Sequence, residues 1–385
     1  MSGLNKRSNK FNKKVLWLTL LFFTFFGFHV GITKIIGTNY NQQGNLVKVF
    51  TLIKTQYIEK INTSVLVEGI IRGMVDALGD PYSVYLDKET FKELMEEQIQ
   101  GFFGGLGISV GIKDDFLTVA RVYKDTPAHE AGVRIGDRII AIDGRDVQGI
   151  DLKAAIELMR GPVGTQTELS VLREGNYEPV QFKITREKIT IPTVESKMLS
   201  NSQIGYIRIS NFNEKTPDEM QRTLTNLRAQ GMRGLILDLR DNPGGELNAA
   251  TRIANNFVPK GPIVYIRSRS GGENVKNADN NYIQLPLAVL VNENTASAAE
   301  IVAGAIHDTE TGVLVGTSTF GKGIVQTLFS LDNGAGLKLT TAYYLTPDKK
   351  NIHKKGIQPD VVVENKDKLP ADEQLDWAVQ LIKRN

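Results

Sequence analysis

The 385-residue chain has no cysteine, which excludes disulfides, thiolate metal sites and a cysteine nucleophile. Histidine is scarce: His29, His129, His307 and His353 are all there is, so imidazole chemistry has few places to sit. The net charge of +3 is small and partly concentrated at the N-terminus, so no nucleic-acid footprint is implied. Internal repeats and low-complexity tracts are absent. What remains is an ordinary globular composition, 41% hydrophobic and 23% charged, which excludes disorder as the dominant state. The length suits two domains with attachments.

The first 14 residues carry Lys6, Arg7, Lys10, Lys13 and Lys14 without an acid. From Val15 to Thr33 no ionised side chain occurs, and about 20 apolar residues span a bilayer as helix. A transmembrane signal anchor is expected over 15–36, with residues 1–14 as a basic cytoplasmic tail and all that follows outside. No small-x-small cleavage site follows the apolar run, which favours a retained anchor over a cleaved signal peptide. Residues 43–100 show helical periodicity (Leu46, Val49, Phe50, Ile53, then Val67, Ile70, Ile71, Met74, Leu78), broken by the turn chemistry of "LGDPYSVYL". Dimer contacts are allowed through this segment.

Residues 101–190 change character. A glycine-rich loop, "GFFGGLGISVGI", enters a strand over Leu106 to Ile112, and alternating strands follow around one helical face of Leu152, Ala155, Ile156 and Met159. The loop lacks the spacing and lysine of a phosphate-binding loop and precedes a strand rather than a helix, so a nucleotide site is disfavoured. "GGLGISV" and "TPAHEAGVRIGDRIIAIDGRDV" instead resemble a bacterial PDZ domain. Glycines let loop amides turn inward onto a terminal carboxylate while an extended peptide adds to the strand edge. The groove is expected from Gly104, Gly105, Leu106, Gly107, Ile108 and Ser109 with Leu152, Ala155, Ile156 and Met159, favouring small or branched apolar tails. Arg160, in the turn after the helix, is the candidate link between a bound tail and the core.

Over residues 191–365, strand-like runs ("IGYIRIS", "GLILDLR", "PIVYIRS", "PLAVLVN", "GVLVGT", "LKLTTAYYLT") alternate with amphipathic helices, which argues a mainly parallel sheet covered by helices. A C-terminal helix closes the chain over 366–385. Within "VLVNENTASAAEIVAGAIHD", Ser297 stands alone among small residues at a helix start. A nucleophilic serine needs a base. His307 lies ten positions further along the same helix, about 15 Å away, His129 falls in the PDZ-like unit and His353 in a basic loop. Lys322, between two glycines in "GTSTFGKGIVQT", fits better: apolar surroundings would depress its pKa and free the amine to take a hydroxyl proton. Gln326, four residues on, is placed to orient that amine.

"NENTASAAE", "GTSTFGKGIVQ", "LDLRDNPGGEL" and "KKGIQPDVVV" together resemble the carboxyl-terminal processing, or tail-specific, serine peptidases, and the likeness runs from about residue 45 to 385. Thr295 and Ala299 stand where serine is usual, and "DKK" at 348–350 replaces a glycine-arginine turn; neither departure touches the chemistry. The resemblance implies Ser297 as nucleophile, Lys322 as general base, Gln326 as its positioner, and an oxyanion hole from the Ala298 amide with Gly244 and Gly245. It also implies a fold: an α/β core like that of the crotonase and Clp peptidase folds, with a mainly-β PDZ domain inserted after the N-terminal helices. The expectation is a membrane-anchored serine endopeptidase that reads apolar C-termini of protein or peptide substrates and needs no metal or other cofactor. A silent PDZ adaptor and a thioester enzyme on a crotonase-like core are the rival classes.

Overall fold

The computed structural model describes residues 40–176, 178–190, 192–200, 202–364 and 372–384. The expected span at 15–36 lies outside them, and among the described residues no helix is long and apolar enough to cross a membrane. Contacts divide the chain after Ala77. The first unit contributes two helices, Tyr40–Gln56 and Thr63–Asp76. Asn62 caps the second, its side-chain oxygen accepting the Ser64 amide at 3.1 Å. Leu46, Val49, Val65 and Met74 on these helices are exposed.

The second unit begins with a departure from expectation. "LGDPYSVYL" contains a strand, Val84–Leu86, antiparallel to Gly336–Leu345, because Tyr85 and Leu86 are buried and need a sheet to pack on. A short helix, Lys88–Glu93, then runs on as a π-helical turn, Leu94–Ile99.

The PDZ-like domain enters and leaves through a small ribbon, Phe103–Gly105 paired with Glu187–Ile189. Between them five antiparallel strands stand in the order Ile108–Lys113, Phe116–Val122, Arg138–Ile142, Gln166–Leu172, Val180–Thr185. The helix Leu152–Met159 starts on Asp151, whose carboxylate accepts the Lys153 and Ala154 amides, and it ends on Arg186, whose guanidinium donates to the Leu158 and Met159 carbonyls. The "IGDRII" turn holds because buried Asp137 accepts from the Arg134 amide at 2.8 Å and from the Arg173 guanidinium at 2.7 and 2.8 Å.

In the α/β core, six strands follow one another in space as in sequence: Val194–Met198, Ile204–Ile209, Gly234–Asp238, Leu287–Val291, Val313–Gly316 and Val361–Val362. The first pair is antiparallel and the rest parallel. Leu235, Leu237, Val289 and Val291 face one apolar layer with the helices Thr216–Ala229, Leu247–Ala254 and Ala298–Asp308. Ile236, Ala288 and Leu290 face another with the helix Glu373–Arg384. This alternation explains the continuous apolar runs: a central parallel strand is covered on both faces.

"PIVYIRS" and "LKLTTAYYLT" do not join that sheet, contrary to the alternation argument. They form a separate antiparallel sheet with Val84–Leu86, Glu273–Ala278 and Ile324–Ser330. The loops between 268 and 273 and between 330 and 336 are too short for a parallel crossover, which needs a dozen residues or more.

Candidate active site

Ser297 sits between the strand Leu287–Val291 and the helix Ala298–Asp308, where small neighbours allow a sharp turn. Its backbone has φ 54° and ψ −116°, a conformation that costs a non-glycine residue on the order of 1–3 kcal/mol unless its surroundings hold it. Those surroundings are dense. The Ser297 amide donates to Glu300 Oε2 at 2.8 Å, its carbonyl accepts the Tyr344 hydroxyl at 2.9 Å, and the Ala296 amide donates to the Asn242 carbonyl at 2.9 Å.

The "DNPGG" turn presses against this serine. A methyl group on Gly244 (φ 102°) would lie 2.8 Å from Ser297 Cβ and 2.9 Å from the Ala298 nitrogen; one on Gly245 (φ 137°) would lie 2.0 Å from the Phe212 carbonyl oxygen. Both positions therefore require glycine. Buried Asn242 organises the turn, donating to the Ile209 carbonyl at 2.8 Å and accepting the Gly244 amide at 2.9 Å. Gly244 thus supplies close approach, its amide being already engaged. The amides of Gly245 and Ala298 find no acceptor among the described residues, and both residues line the cleft that Ser297 faces.

Lys322 reaches the same cleft, a space of about 720 Å³ also lined by Gln326, Phe91, Leu94, Met95 and Ile99. Gly321 and Gly323 let its loop run against the 352–356 segment, where a side chain on either would strike backbone nitrogens at 2.7 Å. The ammonium lies 4.8 Å from the centre of the Tyr82 ring, and the Gln326 amide donates to the Tyr82 carbonyl. Burial, aided by the charge of Lys338, pushes Lys322 below the ordinary lysine range, against the opposing pull of Asp80 and Glu300. No histidine lines the cleft among the described residues: His307 faces Asp308 and Asp360, and His353 stands by Tyr343.

Glu300 joins the two halves. Fully buried, it accepts the Ser297 amide through Oε2, the Lys322 amide through the same oxygen at 2.8 Å, and the Gly321 amide and Thr319 hydroxyl through Oε1 at 2.8 and 2.6 Å. One carboxylate thereby ties the serine turn to the lysine loop.

Three sequence patterns match this architecture: Peptidase family S41 over residues 203–363, a PDZ domain over 118–173, and the activating protease CtpB N-terminal domain over 34–90. The carboxy-terminal processing protease CtpA of Bacillus subtilis is 39% identical over 352 residues, covering 89% of this chain and 75% of that protein. The chain belongs to the carboxy-terminal processing protease family. A carboxy-terminal-processing protease of Bartonella bacilliformis is likewise 39% identical, over 84% of this chain and 76% of the relative. Among solved structures, a photosystem II D1 C-terminal processing protease is 31% identical, with a TM-score of 0.52 over 89% of this chain and 92% of its own. The chain is accordingly a serine-type peptide hydrolase, carrying an S41 core and a PDZ domain.

In this processing protease the expected groove residues divide. Leu106, Ala155 and Met159 are buried in the PDZ core, whereas Ile108, Leu152 and Ile156 are only partly covered, and Ser109 lies beside them on the strand. Gly104 packs against Gly161, whose amide donates to its carbonyl at 3.2 Å. Gly107 (φ 79°) leaves no room for a side chain beside Thr126, and Gly105 none beside the Phe103 ring. Arg160 is engaged with Glu97 at 2.7 and 2.9 Å and lies 4.5 Å over the Phe103 ring. Glu97 belongs to the π-helical turn that supplies Leu94, Met95 and Ile99 to the cleft.

Sequence reasoning passed over Glu300, Asn242 and Lys338. Glu300 had a legible signal, since serine followed three residues later by glutamate is the pattern of a helix capping box. Asn242 and Lys338 had none: one is buried by tertiary contacts and the other reaches the cleft through strand register.

Proposed function

We propose that Ser297 and Lys322 act as a Ser-Lys dyad. Neutral Lys322 accepts the Ser297 hydroxyl proton as the oxygen attacks a peptide carbonyl, and then delivers it to the leaving amine. Water hydrolyses the resulting acyl-enzyme by the same relay. Ala298 and Gly245 amides receive the oxyanion, each such donor typically being worth about 10²–10³ in rate. Gln326, tied to Tyr82, restrains the wall against which the Lys322 side chain lies. The observation that carries the reading is the Glu300 carboxylate, which holds the amides of both Ser297 and Lys322 at 2.8 Å beside a cleft that no histidine lines among the described residues.

In the same proposal the PDZ domain captures the free C-terminus of a protein or peptide substrate on the amides of its glycine loop, with Ile108, Leu152 and Ile156 receiving an apolar last residue. A tail carboxylate competing with Glu97 for Arg160 would loosen the π-helical wall of the cleft, so docking would open the site as well as tether the substrate. The segment 15–36 anchors the enzyme, with the catalytic part on the outer side of the membrane, as the flanking charges argue. A fluorophosphonate probe tests the chemistry: the adduct is expected on the peptide holding Ser297 and absent in Ser297→Ala. Labelling that persists in Ser297→Ala would remove the proposed nucleophile.

A further inference from the structure

The cleft contains a second lysine for which the proposed reaction has no use. Lys338 lies in the strand Gly336–Leu345, opposite Val84 on one side and Leu328 on the other, so the root of its side chain is fixed from both edges. It is half-buried and lines the same cleft as Ser297 and Lys322. Among the described residues no carboxylate comes within 4.0 Å of its ammonium and no hydrogen bond is donated by it. Among the described residues, the one carboxylate lining the cleft, Glu246, is occupied in capping the helix Leu247–Ala254 through the Asn248 and Ala249 amides. A half-buried lysine in a cleft that Leu94, Met95 and Leu328 also line therefore makes no ion pair there that would explain its place.

The reason for its place lies in what Lys322 faces. From the loop before Val84–Leu86 come the Tyr82 ring, whose face attracts a cation, and Asp80, fixed by the Ser83 hydroxyl at 2.6 Å and the Tyr82 amide at 3.1 Å. From the helix Ala298–Asp308 comes Glu300, and His353 lies within electrostatic reach of Asp80. The ring and both carboxylates favour a protonated Lys322, which could not serve as base. Ser83 also accepts the Thr340 amide at 3.0 Å, tying the Asp80 loop to the strand that carries Lys338.

We infer that Lys338 is a positioning residue for this reaction: its ammonium makes a second positive charge in the cleft costly and so keeps Lys322 as the free amine. The inference rests on Lys322 being the base. Burial depresses both lysines and the charge of Lys338 lowers Lys322 further; the repulsion is reciprocal, and Lys338→Arg, a permanent cation, tests which of the two gives up its proton.

The test is the pH dependence of kcat/KM on a short neutral peptide, too small to need the PDZ domain, for wild type, Lys338→Gln, Lys338→Met and Lys338→Arg, with a thermal melt for each. The acid limb should move to higher pH by roughly one unit in the Gln and Met variants, so the loss is greatest at low pH. Lys338→Arg, a permanent cation, should restore the wild-type limb or move it lower. A limb that stays in place in folded Lys338→Gln overturns the inference, as does an Arg variant shifted as far as Gln. A KM increase confined to peptides bearing acidic side chains, with no shift of the limb, would also overturn it and make Lys338 a substrate counter-ion. Failure of the base itself is separable: Lys322→Arg would then remain active, whatever Lys338 does.

Discussion

Two glycine turns, one in the PDZ domain and one in the peptidase core, use the same residue type for the same physical end. At Gly104–Gly107 the carbonyls are committed to the scaffold: Gly104 accepts from Gly161, Leu106 from Ala128, and Gly107 from Tyr123. The amides of Leu106 and Gly107 find no acceptor among the described residues. At Gly244–Gly245 the Gly244 carbonyl accepts from Phe212, its amide is given to Asn242, and the Gly245 amide is left over beside Ser297. In each turn glycine carbonyls are tied to the scaffold and an amide is left without an acceptor among the described residues, which in the proposed function meets a ligand oxygen. What differs is the backing. The core turn is packed against the buried Asn242 and the backbone of Phe212, while the PDZ turn meets backbone only at its Gly104 end, against Gly161, and at Gly107 rests on the side chain of Thr126. The first suits a short-lived oxyanion that must meet fixed donors, the second a stable carboxylate that tolerates adjustment.

That comparison can be broken from either side. The largest effect is expected from Gly245→Ala, where φ 137° and a 2.0 Å approach to the Phe212 oxygen leave no room for the methyl. A kcat loss of about 100-fold or more should follow, since displacing one oxyanion donor typically costs that much, while a PDZ-binding tail peptide is retained. Steady-state kinetics alongside anisotropy with a labelled tail peptide would check it. Gly107→Ala should do the reverse: its methyl would meet Thr126 Cβ at 2.2 Å, so tail binding should weaken by about tenfold or more while cleavage of an untethered peptide persists. Equal damage to both readouts would erase the distinction between the turns.

Asn242→Ala should fall between, because it frees the Gly244 amide and strands the Ile209 carbonyl. A loss of about 1–3 kcal/mol of stability is expected from the buried unpaired groups, read by thermal or urea unfolding. The smallest effect is Arg160→Ala. Its ion pair with Glu97 is partly exposed, so stability should change by about 1 kcal/mol or less, although the rise in short-peptide cleavage on adding a separate apolar-tailed peptide should be blunted. An undiminished rise would leave the PDZ domain as a tether only.

The sequence made the two domains and the serine turn legible because their signals are local. Continuous burial along Leu235–Leu237 and Leu287–Val291, with successive residues in alternate apolar layers, follows directly from apolar runs, and the glycines of both turns stand where backbone approaches too closely for a side chain. What it hid depends on distant partners. Val84–Leu86 is a strand only because Gly336–Leu345 lies beside it, and "PIVYIRS" left the parallel sheet because a short hairpin dictates antiparallel pairing. The commitment of Gly244 to Asn242 and of Arg160 to Glu97 is likewise invisible until the chain is folded.

The most direct test of the dyad is the pH profile of kcat/KM for wild type beside the turnover of Lys322→Arg. Lys322 must be neutral to act, and burial with Lys338 lowers its pKa, so the wild-type rate should rise with pH along a limb below the ordinary lysine range and then level off. Guanidinium cannot give up its proton near neutrality, so a folded Lys322→Arg enzyme should be inactive at every pH on that limb. A Lys322→Arg enzyme keeping a tenth of wild-type activity, or a wild-type profile with no such limb, would contradict the account.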